Sequence, residues 1–164
     1  MKTYIGIDLG GTNVRVAKVT EFGEVLSQVK GPSYGMEGPT KVMSNLKEMV
    51  REIPGWKDCS AIGVGVPGPV DKKSGSMVLS TNLKGFTGYP FADELSKEFG
   101  MPAFVDNDAN VAGLAEALVG AGKDKSVVYY VTISTGIGGA LIVDGKTVRL
   151  QISSSTVTVK RLIT

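Results

Sequence analysis

Two stretches of this chain follow one plan, and that repetition constrains the fold more than any other feature. "YIGIDLGGTNVRVAKV", residues 4–19, is an apolar segment, a polar residue (here Asp8), a glycine turn and a second apolar segment. "YVTISTGIGGALIV", residues 130–143, repeats the pattern at an offset of 126 residues, which aligns Tyr4 with Tyr130 and Gly10 with Gly136. Each copy runs into a hairpin signal, "FG" after the first and "DG" after the second. A period this long is not that of a solenoid. It predicts two lobes, the first over residues 1–118 and the second over residues 119–164. The tail 150–164, "LQISSSTVTVKRLIT", alternates weakly and reads as one more strand. No helix follows it, so the second lobe is expected to be incomplete.

Strands are predicted over residues 3–9, 13–19 and 25–30, joined tightly as an antiparallel meander. Pro39 suits the first turn of a helix whose apolar face carries Val42, Leu46, Met49 and Ile53. Pro54–Gly55 ends it. "SAIGVGVPG" reads as a short buried strand running into a loop, and "LSTNLKGFTGYP" as a second loop. A helix over 91–99 is closed by Gly100, and a short strand follows at 103–105. "DNDANVAGLAEALVGAG" opens a further helix, with Val111, Leu114, Ala115 and Leu118 as its core stripe. Together these elements define an α/β chain.

The chain has 164 residues, 42% of them hydrophobic and 21% charged, the profile of a globular protein. Its net charge of +2 is too mild to argue for nucleic acid or a membrane surface as a partner. The N-terminal apolar run is interrupted by Asp8 and two glycines, so a secretory leader is not expected and a cytoplasmic location is. One cysteine, Cys59, excludes an internal disulfide and a cysteine metal cluster. There is no histidine, which excludes histidine triads, zinc ligands and bases within this chain. Carboxylates are left as the acids and bases.

The candidate sites are loops at strand ends. Gly10 and Gly11 allow close backbone approach to an anion, and Thr12 and Asn13 add side-chain donors. Asp8 would repel a bare phosphate, but fits if magnesium lies between them. A structural β-turn with a solvated Asp8 is the other reading of this one turn; the second copy, Ser134, Thr135, Gly136, Gly138 and Gly139, favours phosphate. In "DNDAN", residues 106–110, one of Asp106, Asn107 and Asp108 caps the helix. The others are available to grip the hydroxyls of a polyol, and a carboxylate at a helix N-terminus can accept an alcohol proton. Gly68 and Asn82 lie in loops beyond apolar segments, where α/β sheets bind ligands. Alone, each is an ordinary turn residue.

"DLGGTN" (8–13), "GVPGPVD" (65–71), "NDAN" (107–110) and "STGIGG" (134–139), in this order, resemble the ROK family of sugar kinases and sugar-responsive repressors, with the bacterial glucokinases nearest. The resemblance spans about residues 3 to 148. It implies the actin-like ATPase fold, with a complete first ribonuclease-H-like lobe and the beginning of a second. It implies ATP-dependent phosphorylation of a hexose, glucose at its 6-hydroxyl. Magnesium-ATP would lie between the lobes, its phosphates near Asp8, Gly10, Gly11, Thr12 and Asn13 on one side and Thr135, Gly136, Gly138 and Gly139 on the other, with Asp8 near the Mg2+ ion. Asp108 would be the general base; Asn107 and Asp108 would bind the sugar, and Gly68 and Asn82 would line its pocket.

The family continues into a "GE-x-GH" segment, and many members then carry a Cys/His zinc site. Neither is present in this sequence, so no zinc site is expected. The chain starts directly on its first strand, with no helix-turn-helix for DNA. The other reading is a truncated sugar-binding or self-associating module without turnover. Uncovered strands in the second lobe, with Val128, Val131, Ile133 and Ile142, predict a homo-oligomer such as a dimer.

Overall fold

The computed structural model describes residues 1–133 and 137–148. Strands β1 (Thr3–Leu9), β2 (Asn13–Thr20) and β3 (Val25–Pro32) form the expected meander, and β4 (Ile62–Val66) and β7 (Ala103–Asn107) extend it to a five-stranded sheet. The order is β3-β2-β1-β4-β7, antiparallel between β1, β2 and β3 and parallel from β1 through β4 to β7. A two-stranded hairpin, β5 (Val70–Asp71) and β6 (Ser76–Met77), interrupts what reads as a plain loop in the sequence. Its strands are too short to carry a periodic signal.

Period-two alternation in β1 sends Ile5, Ile7 and Leu9 to one side of the sheet, where they are buried. They join Val42 and Leu46 of helix α1 (Pro39–Glu52) and Leu95 and Phe99 of helix α2 (Phe91–Phe99) in one core. Burying a side chain such as Leu46 contributes about 1.5–3 kcal/mol. Helix α1 begins with Pro39 behind Gly38, at φ 92°, and α2 stops at Gly100, at φ 66° in the left-handed region. Trp56 packs edge-on to Phe99, their ring centres 5.3 Å apart, and Cys59 is buried beside Thr3. The opposite side of the sheet carries Tyr4, Gly6 and Asp8 of β1, Gly63 of β4 and the exposed Phe104 of β7.

Helix α3 (Asp108–Leu118) leaves β7 directly. Its buried positions are Ala109, Gly113 and Ala117, while Val111 and Leu118 are exposed. The stripe expected from the sequence is therefore rotated: the small residues face the packing partner, and only Leu114 of the expected set adjoins that core. The partner is a second sheet, order β10-β9-β8, formed by β8 (Val127–Ile133), β9 (Ile137–Val143) and β10 (Lys146–Val148). It repeats the β1-β2-β3 meander, as the internal repeat predicts. Ile142 and Val128 are covered by α3, contrary to the expectation that they lack a partner. The alternate residues Tyr129, Ile133 and Ile137 face outward, 71%, 79% and 82% exposed.

Candidate functional site

Parallel pairing brings the carboxyl ends of β1, β4 and β7 together. Asp8 pairs in register with Gly65, and Gly65 with Asp106, so the two carboxylates occupy one rung of the sheet on either side of a glycine. The space over Gly65 also admits α3: a Cβ there would lie 3.6 Å from the Cα of Asp108. Asp8, Arg15, Asp106 and Asn110 all line one large open cleft of about 990 Å³, whose floor includes Gly6 and Gly63.

The β1–β2 turn differs from the expectation in its details. Neither Gly10 nor Gly11 has a positive φ. The Gly10 N–H donates to the carbonyl of Asn13 at 2.9 Å, closing the hairpin, so this donor is already used. Gly11 is tight against its neighbours: a Cβ would stand 3.0 Å from the Asn82 carbonyl oxygen and 3.1 Å from the Asn82 Cβ. Gly35 lies beneath both, where a Cβ would meet the Gly11 carbonyl oxygen at 2.6 Å and that of Asn82 at 2.9 Å. These glycines therefore bring the turn and the Asn82 loop into direct contact. Thr12, Asn13 and Asn82 are exposed at that junction.

Asp8 is exposed and stands 3.6 Å from Arg15, its cross-strand partner. An exposed pair of this length contributes at most about 1 kcal/mol, so it leaves the carboxylate easily available to a cation. A hard oxygen donor in a site without thiol or imidazole suits magnesium. No group of three or more His, Cys, Asp or Glu that could hold a metal ion occurs among the described residues.

At the start of α3 the three polar residues divide the work. Asn107 is the cap: its Oδ1 accepts from the N–H groups of Ala109 at 3.0 Å and Asn110 at 3.3 Å. Its Nδ2 donates to the Gly68 carbonyl at 3.1 Å. Asp106 Oδ1 accepts from the Asn107 N–H and from Asn110 Nδ2, which orients it. Asp108 is exposed in the first turn, its Oδ1 accepting from the Ala109 N–H at 2.8 Å.

Gly68 has φ 113°, and a Cβ would lie 2.8 Å from the Leu79 carbonyl oxygen, so only glycine fits there. In the second hairpin, a Cβ on Gly138 would lie 3.2 Å from that of Ala109, the residue after Asp108. Gly139 sits in β9 opposite Val131. Thr135 and Gly136, with Ser134, lie outside the described residues.

The structure thus links Gly11 with Asn82, Asp8 with Gly65, Gly65 with Asp108, Asn107 with Gly68, and Ala109 with Gly138; of the residues expected at the site, Asp8 lines the large cleft and Asp108, Asn107, Gly68 and Asn82 do not. Two contributors are absent from the site residues read in the sequence. Gly35 is an isolated glycine with no local signal. Arg15 is legible as the register partner of Asp8 across the hairpin. Asn110, the last residue of "DNDAN", falls one turn after Asp106 and bonds to it.

This sheet order, with its paired meanders and strand-end site, is that of the actin-like ATPase fold. The ROK family model matches residues 4–151, and the chain belongs to the ROK family. It is 34% identical over 141 residues to the glucokinase of Thermotoga maritima, covering 86% of this chain and 44% of that protein. Among solved structures it resembles the ROK hexokinase from Thermus thermophilus, with TM-score 0.81 and 34% identity over 91% of this chain and 49% of that one. It also resembles the ROK family glucokinase from Streptomyces griseus in complex with glucose and AMPPNP, with TM-score 0.82 and 29% identity over 93% of this chain and 48% of that one. The chain spans about half the length of these relatives.

Proposed function

We propose that this chain carries the sugar side, and part of the nucleotide side, of an ATP-dependent hexose kinase acting on glucose at the 6-hydroxyl. The observation that carries this reading is the position of Asp108: an exposed carboxylate in the first turn of α3, at the carboxyl end of β7 and beside Gly65, the register partner of Asp8. Phosphoryl transfer asks little covalent chemistry of a protein; it needs alignment, charge neutralisation and removal of the hydroxyl proton. Asp108 takes that proton. Asn107 and Asp108 contact the sugar, and Gly68 and Asn82 shape its pocket. Gly10, Gly11, Thr12 and Asn13 approach the phosphates from the first lobe, and Thr135, Gly136, Gly138 and Gly139 from the second. Asp8 holds the magnesium ion, which neutralises phosphate charge when bound. The lobes divide near residue 118, with α3 as the seam between them, in a cytoplasmic chain that binds no nucleic acid.

The test is a coupled ATP–glucose assay on this chain and on Asp108→Asn. A general base contributes about 10²–10⁴-fold, so the variant loses at least a hundredfold in kcat. Turnover within a few-fold of the parent rules out the base assignment.

A second reading has its own support. The outward residues Tyr129, Ile133 and Ile137 are more than two-thirds exposed, an apolar face suited to self-association as a dimer. In that reading the chain is a sugar-binding module without turnover. Calorimetry then registers glucose binding while the assay stays silent, and sedimentation shows a dimer. A monomer at high concentration removes the self-association.

A further inference from the structure

We infer that Asn107 is a positioning residue: its side-chain amide is a two-ended strut that fixes the Gly68 loop against the first turn of α3. The inference rests on the kinase reading for its consequence at the sugar, but not for the strut itself. Three of the hydrogen-bonding positions of this carboxamide are occupied within the protein. The oxygen accepts the N–H groups of Ala109 and Asn110, and the nitrogen donates to the Gly68 carbonyl across 39 residues of sequence. An amide carries two acceptor sites and two donor hydrogens, so a single N–H remains for a ligand.

The geometry demands an amide. Serine and aspartate cap a helix as well as asparagine does, but neither reaches from the cap to a carbonyl as a donor. The loop it holds has few conformations open to it. Gly68 sits at φ 113° with the Leu79 carbonyl in the space a Cβ would need, and it is flanked by Pro67 and Pro69. Asn107 is also the register partner of Val66, the last residue of β4 before that loop. One side chain therefore sets the separation between Gly68 and the neighbouring Asp108, the two ends of the proposed sugar pocket. A sugar held by the loop is presented to the carboxylate through Asn107, beyond any contact Asn107 makes itself.

Two variants separate the cap from the strut. Asn107→Asp keeps the cap and sets a carboxylate oxygen against the Gly68 carbonyl oxygen. Asn107→Ser keeps the cap and is too short for the strut. In the ligand-free chain, the carbonyl-carbon and amide NMR resonances of Gly68 and Val70 are expected to move in both variants, while hydrogen-exchange protection within α3 is retained. Glucose affinity by calorimetry is expected to fall about three- to tenfold, the loss that one neutral hydrogen bond implies. Unchanged Gly68 resonances in both variants overturn the strut. Shifted resonances with parental glucose affinity overturn its role in positioning the sugar. If the parent chain binds no glucose, the kinase reading fails, and the ligand-free resonances still decide the strut.

Discussion

Gly113 of α3 and Ala140 of β9 meet so closely that a Cβ on the glycine would stand 2.9 Å from that of the alanine. Tyr130 and Ile142 close the same space, at 2.9 Å and 3.0 Å. The contact is the seam on which the second sheet docks. Gly113→Ala gains up to about 1 kcal/mol in helix propensity and forces the sheet outward. Overpacking costs about 1–3 kcal/mol, so the net effect is destabilising. The expected result is a lower melting temperature and faster hydrogen exchange in β8 and β9, with β1 and β2 little changed. Parental stability would show that the seam yields freely.

Gly35 supports the junction of the β1–β2 turn with the Asn82 loop. The atoms nearest to a new Cβ are the carbonyl oxygens of Gly11 and Asn82, and backbone cannot swing aside as a side chain can. Gly35→Ala is expected to cost about 1–3 kcal/mol and to shift the NMR resonances of Gly11 and Asn82 together. A shift confined to residues next to position 35 would mean that the turn and the loop are not coupled.

Helices α1 and α2 are bound by a charged cluster. Lys47 contacts Glu94 and Glu98, each at 3.2 Å, and Arg51 contacts Glu98. The hydrogen bond from Lys47 holds the Glu98 carboxyl below the ordinary glutamate range. A carboxylate more acidic in the folded state stabilises that state above its unfolded pKa, and the contribution is lost as the pH falls through the folded value. Lys47 is shifted upward, first by its hydrogen bond to Glu94, so its contribution persists until the alkaline range. Melting temperature is therefore expected to fall as pH drops below about 4.3, and to fall less steeply in Lys47→Met. Identical acid limbs in the two proteins would dismiss the cluster.

Tyr89 donates its hydroxyl to Glu94, and burial together with that bond pushes its pKa up to about 12. The folded state keeps this proton more tightly than the unfolded chain, so the contribution is complete below about pH 10 and fades as pH rises towards 12. An ultraviolet titration is expected to show one phenol ionising well after the others, and Glu94→Gln to bring it back towards them. A late phenol unmoved by that substitution would assign the shift to burial alone.

Where one residue's backbone needs decided the geometry, the sequence was legible. Gly23 turns β2 into β3, Gly100 ends α2 and Asp144–Gly145 turns β9 into β10, all at positive φ. The meander and its second copy were readable from alternation. Helix α3 was misread because apolar weight points to Val111 and Leu118, whereas the packing surface is chosen by how near β8 and β9 can come, and that selects Ala109, Gly113 and Ala117. The packing of Gly11 against Asn82 was not legible, because local sequence cannot show Asn82 arriving from about seventy residues away. The division of labour in "DNDAN" was open for the same reason: the Gly68 carbonyl that engages Asn107 comes from another strand end.

Helix α3 touches β4 and β7 along one flank and β8, β9 and β10 along the other. A three-stranded sheet needs an apolar cover to persist in water, and for β8–β10 that cover is this helix. Calorimetry should accordingly record no transition of β8–β10 apart from that of α3. The second sheet has no melting point of its own to display.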